Sequence, residues 1–535
     1  MATVRTFHKW KQGSSGSGDA AQTEYNSENA QVYENGTLGP RPGWKAISDT
    51  AGAKVWDPTA DSIEGLTWYR ETDDAEVLAL VFDDAGTQKY DTLPLASPTW
   101  VAGGSINNNA DTTSLHPPEY DDRQKQPVWN DGFLVTALGG YLAIATSTTI
   151  GTPAAINTTN GYAAGVTIYR ERAYYWGFAA QPGRVYYSEP ADYTNVGATS
   201  SFDVNIKSDT YAGAITGMWA VKNALVIVRS DDRWHVMTGV TPESGSMREL
   251  GRDIVPDFVS AAVVDNQIYF LNRTGSGVVV ATPSFVESEQ LEYLSPTAYP
   301  GSTEFRPDNS FLPQTAVGDE VGRSLFLPGR KSSNNQTLVA VERTNGVFNL
   351  SRWIHSGSLD DIVFTRGRPG EMYCAADAGT SWAIYSRNHT LNRPANSGDS
   401  KSVSLDNEAG TASGSEVVVD LGEIVSGAGK IIRPVKVVLD IDYWKGGNYS
   451  APELAVDATI KGVVGEGATP EDILSQQTET TTSWDNTSGD LPYKRRVPVI
   501  LPQGQYGTRF RIRLTYDNLA LESVQVYYEE QKDPR

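Results

Sequence analysis

A short apolar run, a polar turn and a second apolar run recur along most of this chain. One unit reads Ile215-Thr-Gly-Met-Trp-Ala-Val221, turns at Lys222-Asn223 and continues as Ala224-Leu-Val-Ile-Val228. Because a small sheet cannot cover both of its apolar faces alone, units repeated at this period pack radially, face on face. The pattern predicts an all-β chain with a β-propeller of about six or seven blades. The units begin near residues 65, 133, 165, 215, 258, 317 and 362, with one longer interval that holds the polar residues 103–128.

The length of 535 residues exceeds what one hydrophobic core supports, so two or three folding units are expected. The 26 Tyr, 13 Trp and 50 Gly favour pleated sheets joined by many turns. We divide the chain into an N-terminal arm (1–50), the propeller (51–395), a Gly/Ser-rich linker (396–414) and a C-terminal domain (415–535). Within the arm, Gly13-Ser-Ser-Gly-Ser-Gly18 has the composition of a flexible linker.

The C-terminal domain is predicted to be an appended antiparallel β-sandwich, resembling a jelly roll. Apolar residues alternate with polar ones along Phe510-Arg-Ile-Arg-Leu-Thr-Tyr516, as in a half-buried strand. Five further runs of this kind occur between residues 417 and 528, which suits two packed antiparallel sheets. Pro470 to Gln477 is the one segment for which a short helix is predicted.

Charge and cysteine content narrow the function classes. The formal net charge is −21, whereas sequence-independent DNA binding needs clustered Lys and Arg against phosphates. Cys374 is the single cysteine and reads as a buried strand residue, so no intramolecular disulfide is possible. The chain begins without a signal-like apolar segment and holds no apolar stretch of about 18 residues. We therefore expect synthesis in a cytoplasm and no membrane insertion.

The residues that most often carry chemistry form no recognisable constellation. The five histidines lack metal-ligand spacing, and nucleophile-elbow, phosphate-loop and zinc-protease motifs are missing from the sequence. We therefore predict that the chain is not an enzyme, with no catalytic, cofactor-binding or metal-binding residue and no cofactor. The candidates weighed were His8, His116, His235, His355 and His389; the acidic groups Asp73-Asp74, Asp121-Asp122 and Asp485 to Asp490; and Arg70, Arg170, Arg172, Arg184, Arg509, Arg511 and Arg513.

Two turns share the sequence Asp-Ala-Gly-Thr, at Asp84 to Thr87 and at Asp377 to Thr380. The second continues to Ser381-Trp382 and resembles the Asp-box hairpin of sialidase-like propellers. In those families the box supports a turn, since Gly takes positive φ and Asp binds turn amides. The resemblance implies a structural hairpin at each place.

The opening segment resembles the N-terminal region of tail hub and nozzle proteins of short-tailed phages, through Asn29-Ala-Gln-Val-Tyr33, Asn35-Gly36 and Arg41-Pro-Gly43. A second stretch is similar to phage tail propellers: Val185-Tyr-Tyr-Ser188, Phe202-Asp203, Ala214-Ile-Thr-Gly217, Leu225-Val-Ile-Val228 and Trp234-His-Val-Met-Thr-Gly239. The resemblance implies a virion tail component that forms a ring of identical copies, commonly hexameric. Such a ring lies at or below the portal, contacts portal or adaptor proteins, and lets genomic DNA pass during ejection without specific binding.

Three alternatives use the same fold. One is a carbohydrate-binding or glycan-cleaving protein at the tail tip that contacts the host surface. Another is a minor tail protein of a long-tailed phage. The third is a bacterial extracellular propeller lectin, which the missing signal-like segment disfavours. Fold alone does not separate them, because propellers carry unrelated functions.

Overall fold

Strand pairing defines the architecture, which we describe from a computed structural model. The described residues lie between Thr3 and Lys532, and all of their regular structure is β. No helix is among them, and so none long and apolar enough to cross a membrane. Besides single residues and stretches of up to four residues, the ranges left undescribed are 11–25, 48–54, 57–61, 106–118, 130–139, 144–153, 156–164, 205–212, 273–277, 283–289, 294–311, 355–360, 388–416, 444–452, 462–470 and 481–492.

The first 56 residues contribute six short strands, five of them in the N-terminal arm and the sixth just after it. They are β1 (Thr3–His8), β2 (Asn26–Glu28), β3 (Ala30–Val32), β4 (Leu38–Pro40), β5 (Trp44–Ala46) and β6 (Val55–Trp56).

Seven antiparallel sheets follow in sequence, and each is one blade of a propeller. Blade one holds β7 (Ser62–Arg70), β8 (Glu76–Asp84), β9 (Thr87–Pro94) and β10 (Val101–Ser105). Blade two holds β11 (Glu119–Asp121), β12 (Gln126–Trp129), β13 (Gly140–Ala143) and β14 (Ala154–Ala155). Blade three holds β15 (Gly165–Tyr169), β16 (Arg172–Trp176), β17 (Arg184–Tyr187) and β18 (Ser201–Asp203).

The remaining blades keep this pattern. Blade four holds β19 (Ile215–Val221), β20 (Ala224–Arg229), β21 (Arg233–Thr238) and β22 (Ser246–Arg252). Blade five holds β23 (Pro256–Val264), β24 (Gln267–Asn272), β25 (Val278–Thr282) and β26 (Gln290–Tyr293). Blade six holds β27 (Leu312–Pro313), β28 (Val317–Asp319), β29 (Ser324–Lys331), β30 (Asn334–Arg343) and β31 (Val347–Ile354). Blade seven holds β32 (Asp361–Arg366), β33 (Met372–Asp377) and β34 (Trp382–Arg387).

Packing between neighbouring blades closes these sheets into a ring. The strands β15, β19, β23, β28 and β32 lie side by side in this order. β7 of blade one lies against β32 of blade seven and β12 of blade two, and β11 of blade two lies against β15 of blade three. Between blades three and four, buried Tyr174, Trp176, Leu225 and Ile227 share one apolar cluster. The prediction of an all-β propeller is therefore confirmed, and the strand pairing of the described residues gives seven blades.

Blade seven is completed by the start of the chain. β5 pairs with β34 at Trp44↔Arg387, Lys45↔Ser386 and Ala46↔Tyr385, and β6 pairs with β34 at Trp56↔Trp382. The outermost strand of the last blade thus comes from the arm. A ring closed in this way holds its two ends together by main-chain hydrogen bonds as well as by packing.

The C-terminal domain is a β-sandwich. Its seven strands are β35 (Val417–Val425), β36 (Lys430–Tyr443), β37 (Glu453–Lys461), β38 (Glu471–Thr480), β39 (Tyr493–Ile500), β40 (Arg509–Asp517) and β41 (Leu519–Lys532). One layer has the order β3-β4-β41-β36-β39, and the other has β35-β40-β37-β38. Alternate residues of both layers, among them Leu439, Val456 and Leu514, form one buried core.

Two sequence predictions are wrong in detail. The segment predicted as a helix, Pro470 to Gln477, lies almost entirely in β38, because Glu471–Thr480 pairs along β37 through a single bulge. The polar interval 103–128 holds β11 and part of β12, so blade two begins before Phe133. The short strands Glu119-Tyr-Asp and Gln126-Pro-Val-Trp lack an apolar run, which is why the periodicity missed them. The linker 396–414 lies outside the described residues.

The first Asp-Ala-Gly-Thr segment forms the predicted tight hairpin. Asp84 pairs with Thr87 across the β8–β9 turn, and Ala85 has a φ of 53°, as two-residue turns of this kind require. The carboxylate of Asp84 forms an ion pair with Lys89. In the second copy, Asp377 pairs with Trp382, and the residues between them lie outside the described part.

The turn after β21 in blade four leaves no room for a side chain. A Cβ at Gly245 would overlap the carbonyl oxygen of Thr238. We expect Gly245→Ala to lower the free energy of unfolding by about 1–3 kcal/mol, since the backbone must shift to relieve the overlap. Thermal unfolding measures the loss. Gly65→Ala is the matched control, because a Cβ there meets nothing within 4 Å; equal losses in the two variants would contradict the expectation.

Candidate functional site: the arm junction

The arm joins the propeller to the sandwich through one three-residue strand. β2 pairs in parallel with β31 of blade six at Glu28↔Arg352. On its other side it pairs antiparallel with β35 at Asn26↔Asp420, Ser27↔Val419 and Glu28↔Val418. Blade six, β2 and one layer of the sandwich therefore form a single ten-stranded sheet. We call the contacts around β2 the arm junction.

Two side chains of β31 fix the arm from the propeller side. The backbone N–H of Ala30 donates to Oγ of Ser351 at 3.2 Å, and the same hydroxyl donates to the carbonyl of Ser27 at 3.4 Å. Trp353 is 1% exposed, and its Nε1 donates to the carbonyl of Ala30 at 3.2 Å. Buried backbone groups of the arm are thus satisfied by blade six.

Arg41 lies in the interior of the junction, at 1% exposed. Its guanidinium lies over the ring of Trp353, 5.3 Å from the centroid, and its Nε donates to Oδ1 of Asn29 at 3.3 Å. Asn29 has a φ of 51°, a conformation that Asn tolerates better than most residues. This residue turns the chain from β2, in one layer, to β3, in the other. A planar, always charged guanidinium suits a site that needs both stacking and hydrogen bonds.

Three aromatic residues hold the arm against the sandwich, one from the sandwich and two from the arm itself. The hydroxyl of Tyr516 donates to the carbonyl of Leu38 at 2.9 Å. Trp10 is fully buried, and its Nε1 donates to the carbonyl of Leu521 at 2.7 Å. Phe7 is also fully buried and belongs to the sandwich core. The arm is therefore anchored in both domains.

A buried ion pair lies beside the junction in the sandwich layer. Asp420, which faces Asn26 in the strand register, is 1% exposed and is paired with the guanidinium of Arg511 on β40. Its Oδ1 also accepts the backbone N–H of Gly422 at 3.0 Å. Such a pair tolerates burial only while both partners are present.

The residues behind the phage resemblance fall into two places. The first place is in or next to the arm junction. It holds described residues of the N-terminal motif, namely Asn29, Ala30, Gln31, Gly36 and Arg41. The second stretch lies in blades three and four, along β17 to β21. Sequence reasoning did not find Ser351, Trp353 or Asp420, because nothing local marks them as partners of residues more than 300 positions away.

The chemical candidates lie in separate regions. The seven arginines are distributed over blade one, blade three and β40, so they do not converge on one pocket. Several have their own partners: Arg184 bonds Asp203 through two contacts of 2.9 Å, and Arg172 donates to the carbonyl of Ser188 at 2.6 Å. No group of three or more His, Cys, Asp or Glu suited to a metal occurs among the residues that the structure describes. Cys374 is fully buried in β33.

Several other candidates fall outside the described residues: His116, His355, His389, Asp73, Asp74, Asp122 and the segment from Asp485 to Asp490. His8 and Asp121 lie on the described strands β1 and β11.

Among the candidate histidines in the described part of the chain, His235 has a deeply buried environment. It is 3% exposed on β21, facing Glu249 in the strand register, and its Nδ1 has no hydrogen-bond partner. The pKa of His235 is lowered to about 4, mainly by burial; Arg229 and Arg233 also lower it, whereas Glu249 and Asp231 raise it. The imidazole is therefore neutral at pH 7, which fits a core residue of blade four.

This environment predicts an acid-sensitive blade. Below the ordinary pKa of 6.5 the unfolded chain takes up a proton that the folded one refuses down to about 4. Stability is therefore present above pH 6.5 and lost as the pH falls toward 4, by on the order of 3 kcal/mol from this residue. Urea unfolding at pH 7 and pH 4 measures it. The His235→Gln variant should lose less by that amount, and parallel losses in both chains would refute the assignment.

Comparison with known proteins adds little. No protein-family model and no curated protein matches the chain. BBS1N, solved in complex with ARL6DN, is 11% identical over 66% of this chain and 99% of its own, with a TM-score of 0.40. YCF48 bound to D1 peptide is 11% identical over 65% and 96%, with a TM-score of 0.36. BamB from Moraxella catarrhalis is 10% identical over 64% and 99%, with a TM-score of 0.32. The fold assignment here depends on the strand pairing and not on these likenesses.

Proposed function

We propose that this chain is a non-enzymatic structural subunit of a bacteriophage tail. Copies of it form a ring near the portal, and the ring lines or continues the conduit through which DNA leaves the virion. Its partners are other copies of itself and the neighbouring portal, adaptor or tail proteins. It is made in the host cytoplasm and ends up in the tail of the particle.

The observation that carries the proposal is the ten-stranded sheet through β2. Two domains joined by a loop move relative to one another by default, whereas here a strand ladder and the buried side chains of Trp353 and Arg41 connect them. A part of a conduit that must withstand the passage of DNA needs this stiffness, and a soluble binding module does not.

Two further features agree with the proposal. The net charge of −21 repels the phosphate backbone, so DNA passing along such a surface is not retained. The residues that resemble phage tail hub and nozzle proteins include Asn29 and Arg41, which the junction places in contact.

Imaging of phage particles whose genome encodes this chain tests the proposal. We expect density for the propeller and sandwich in several symmetric copies around the tail axis. Density as isolated copies at the tail tip, together with binding on a glycan array, would favour the carbohydrate-binding alternative. A particle without this chain would reject a structural role.

A further inference from the structure

The first strand is attached to the rest of the molecule along one edge. β1 pairs with β41 from Thr3↔Tyr528 to His8↔Ser523, and the described strands give it no other partner. It therefore covers an edge of β41, which we call the β41 groove. A β1 strand from a second copy of this chain would fill this groove equally well.

The attachment is concentrated in two side chains. Phe7 and Trp10 are fully buried, and Trp10 donates to the carbonyl of Leu521 at 2.7 Å. Val4, by contrast, is 45% exposed, and Thr3 is exposed as well. An extended peptide that adds one strand to a sheet edge and inserts a few apolar anchors is a recurring mode of binding between chains.

The sequence between these anchors and the next strand is long enough to reach another molecule. Residues 11–25 separate Trp10 from β2 and include Gly13-Ser-Ser-Gly-Ser-Gly18. A fully extended segment of this length spans roughly 50 Å. This length allows β1 to reach the β41 edge of an adjacent copy that lies within that distance.

We propose that in the assembled ring β1 of each copy occupies the β41 groove of its neighbour. The inference rests on the proposed function, since it needs a ring of identical chains. The strand ladder and the two aromatic anchors are the same within a chain and between chains, so exchange loses no contacts. Exchange also offsets the repulsion between subunits, each of which has a net charge of −21. The exchanged strand holds neighbouring subunits together by main-chain hydrogen bonds and buried aromatic rings.

A disulfide placed across the β1–β41 pair distinguishes the two arrangements. Thr6 and Gln525 face one another in the register, so the double variant Thr6→Cys with Gln525→Cys brings two thiols together. Phage particles carrying it are oxidised, and the chain is analysed by non-reducing electrophoresis. Exchange predicts covalent multimers that extend up to the full ring.

The matched control joins two strands that belong to the sandwich itself. Lys436 and Ile500 face one another across β36 and β39, so Lys436→Cys with Ile500→Cys must give a link within one chain in any assembly. The native Cys374 is fully buried, so we expect it not to form disulfides with the introduced cysteines.

The outcomes separate the two proposals. Particles that contain the ring but yield only chains linked within themselves, as the control does, overturn strand exchange and leave the ring intact. Particles without this chain overturn the proposed function and the exchange together. If Thr6→Cys with Gln525→Cys prevents assembly, Val4→Cys with Tyr527→Cys gives the same readout two register positions away.

Discussion

Replacing Trp353 with Ala is expected to lower the free energy of unfolding by about 3–5 kcal/mol, the range for a large aromatic removed from a packed core. Trp353 is 1% exposed, packs edge-on against Phe326 with ring centroids 5.6 Å apart, and bonds the carbonyl of Ala30. The truncation therefore leaves a cavity and an unsatisfied carbonyl in the arm. Chemical denaturation of the purified chain measures the loss.

The same variant should also loosen the connection between the two domains. Hydrogen exchange at the amides of β2 and β35 reports this directly, because those amides join blade six to the sandwich. Trp176→Ala is the control: Trp176 is fully buried in blade three and its loss costs a similar core energy. If β2 and β35 lose no more protection in Trp353→Ala than in Trp176→Ala, the coupling role is wrong.

Removing Arg511 is expected to destabilise the sandwich by about 3 kcal/mol. The carboxylate of Asp420 is 1% exposed, so Arg511→Ala leaves a buried negative charge without its partner. The expected loss is at the lower end of the range for buried pairs, because the Arg511 side chain is itself 22% exposed. Thermal or urea unfolding measures it.

Arg509→Ala provides the comparison on the same strand. Arg509 is 49% exposed and pairs with Glu423 at 3.2 Å, so its removal should cost less than about 1 kcal/mol. A double variant, Asp420→Leu with Arg511→Met, should recover much of the loss, since it removes both charges together. Losses of equal size at Arg509 and Arg511 would show that burial of Asp420 has no energetic consequence.

The sequence predicted the hairpins well where they are local. The runs Ile215–Val221 and Ala224–Val228 correspond closely to β19 and β20, because a short turn between two apolar runs leaves little choice of partner. The same holds for the alternation along Phe510 to Tyr516, which lies within β40. The first two strands of blade two are not predicted in this way, since they are short and include polar residues such as Glu119 and Gln126.

The arm junction could not be predicted in the same way. Asn26-Ser-Glu28 is polar and three residues long, and its pairing with β31 and β35 depends on residues far along the chain. Long-range pairing carries no periodic signal, so the sequence predicts an arm here but not the strands with which it pairs. The burial of Arg41 was equally hidden, because an arginine before Pro-Gly usually indicates an exposed turn.

Closure of blade seven by β5 requires two segments that are synthesised far apart in time. Trp44 to Ala46 leave the ribosome early, but their partners Tyr385 to Arg387 follow about 340 residues later. At about 5–20 residues per second, the nascent chain waits on the order of 20 to 70 s before the ring can shut. During that interval the apolar faces of the early blades can be covered only by the other blades already made, because the ring is still open. Slow translation or scarce chaperones should therefore reduce the yield of this protein more than its equilibrium stability would suggest.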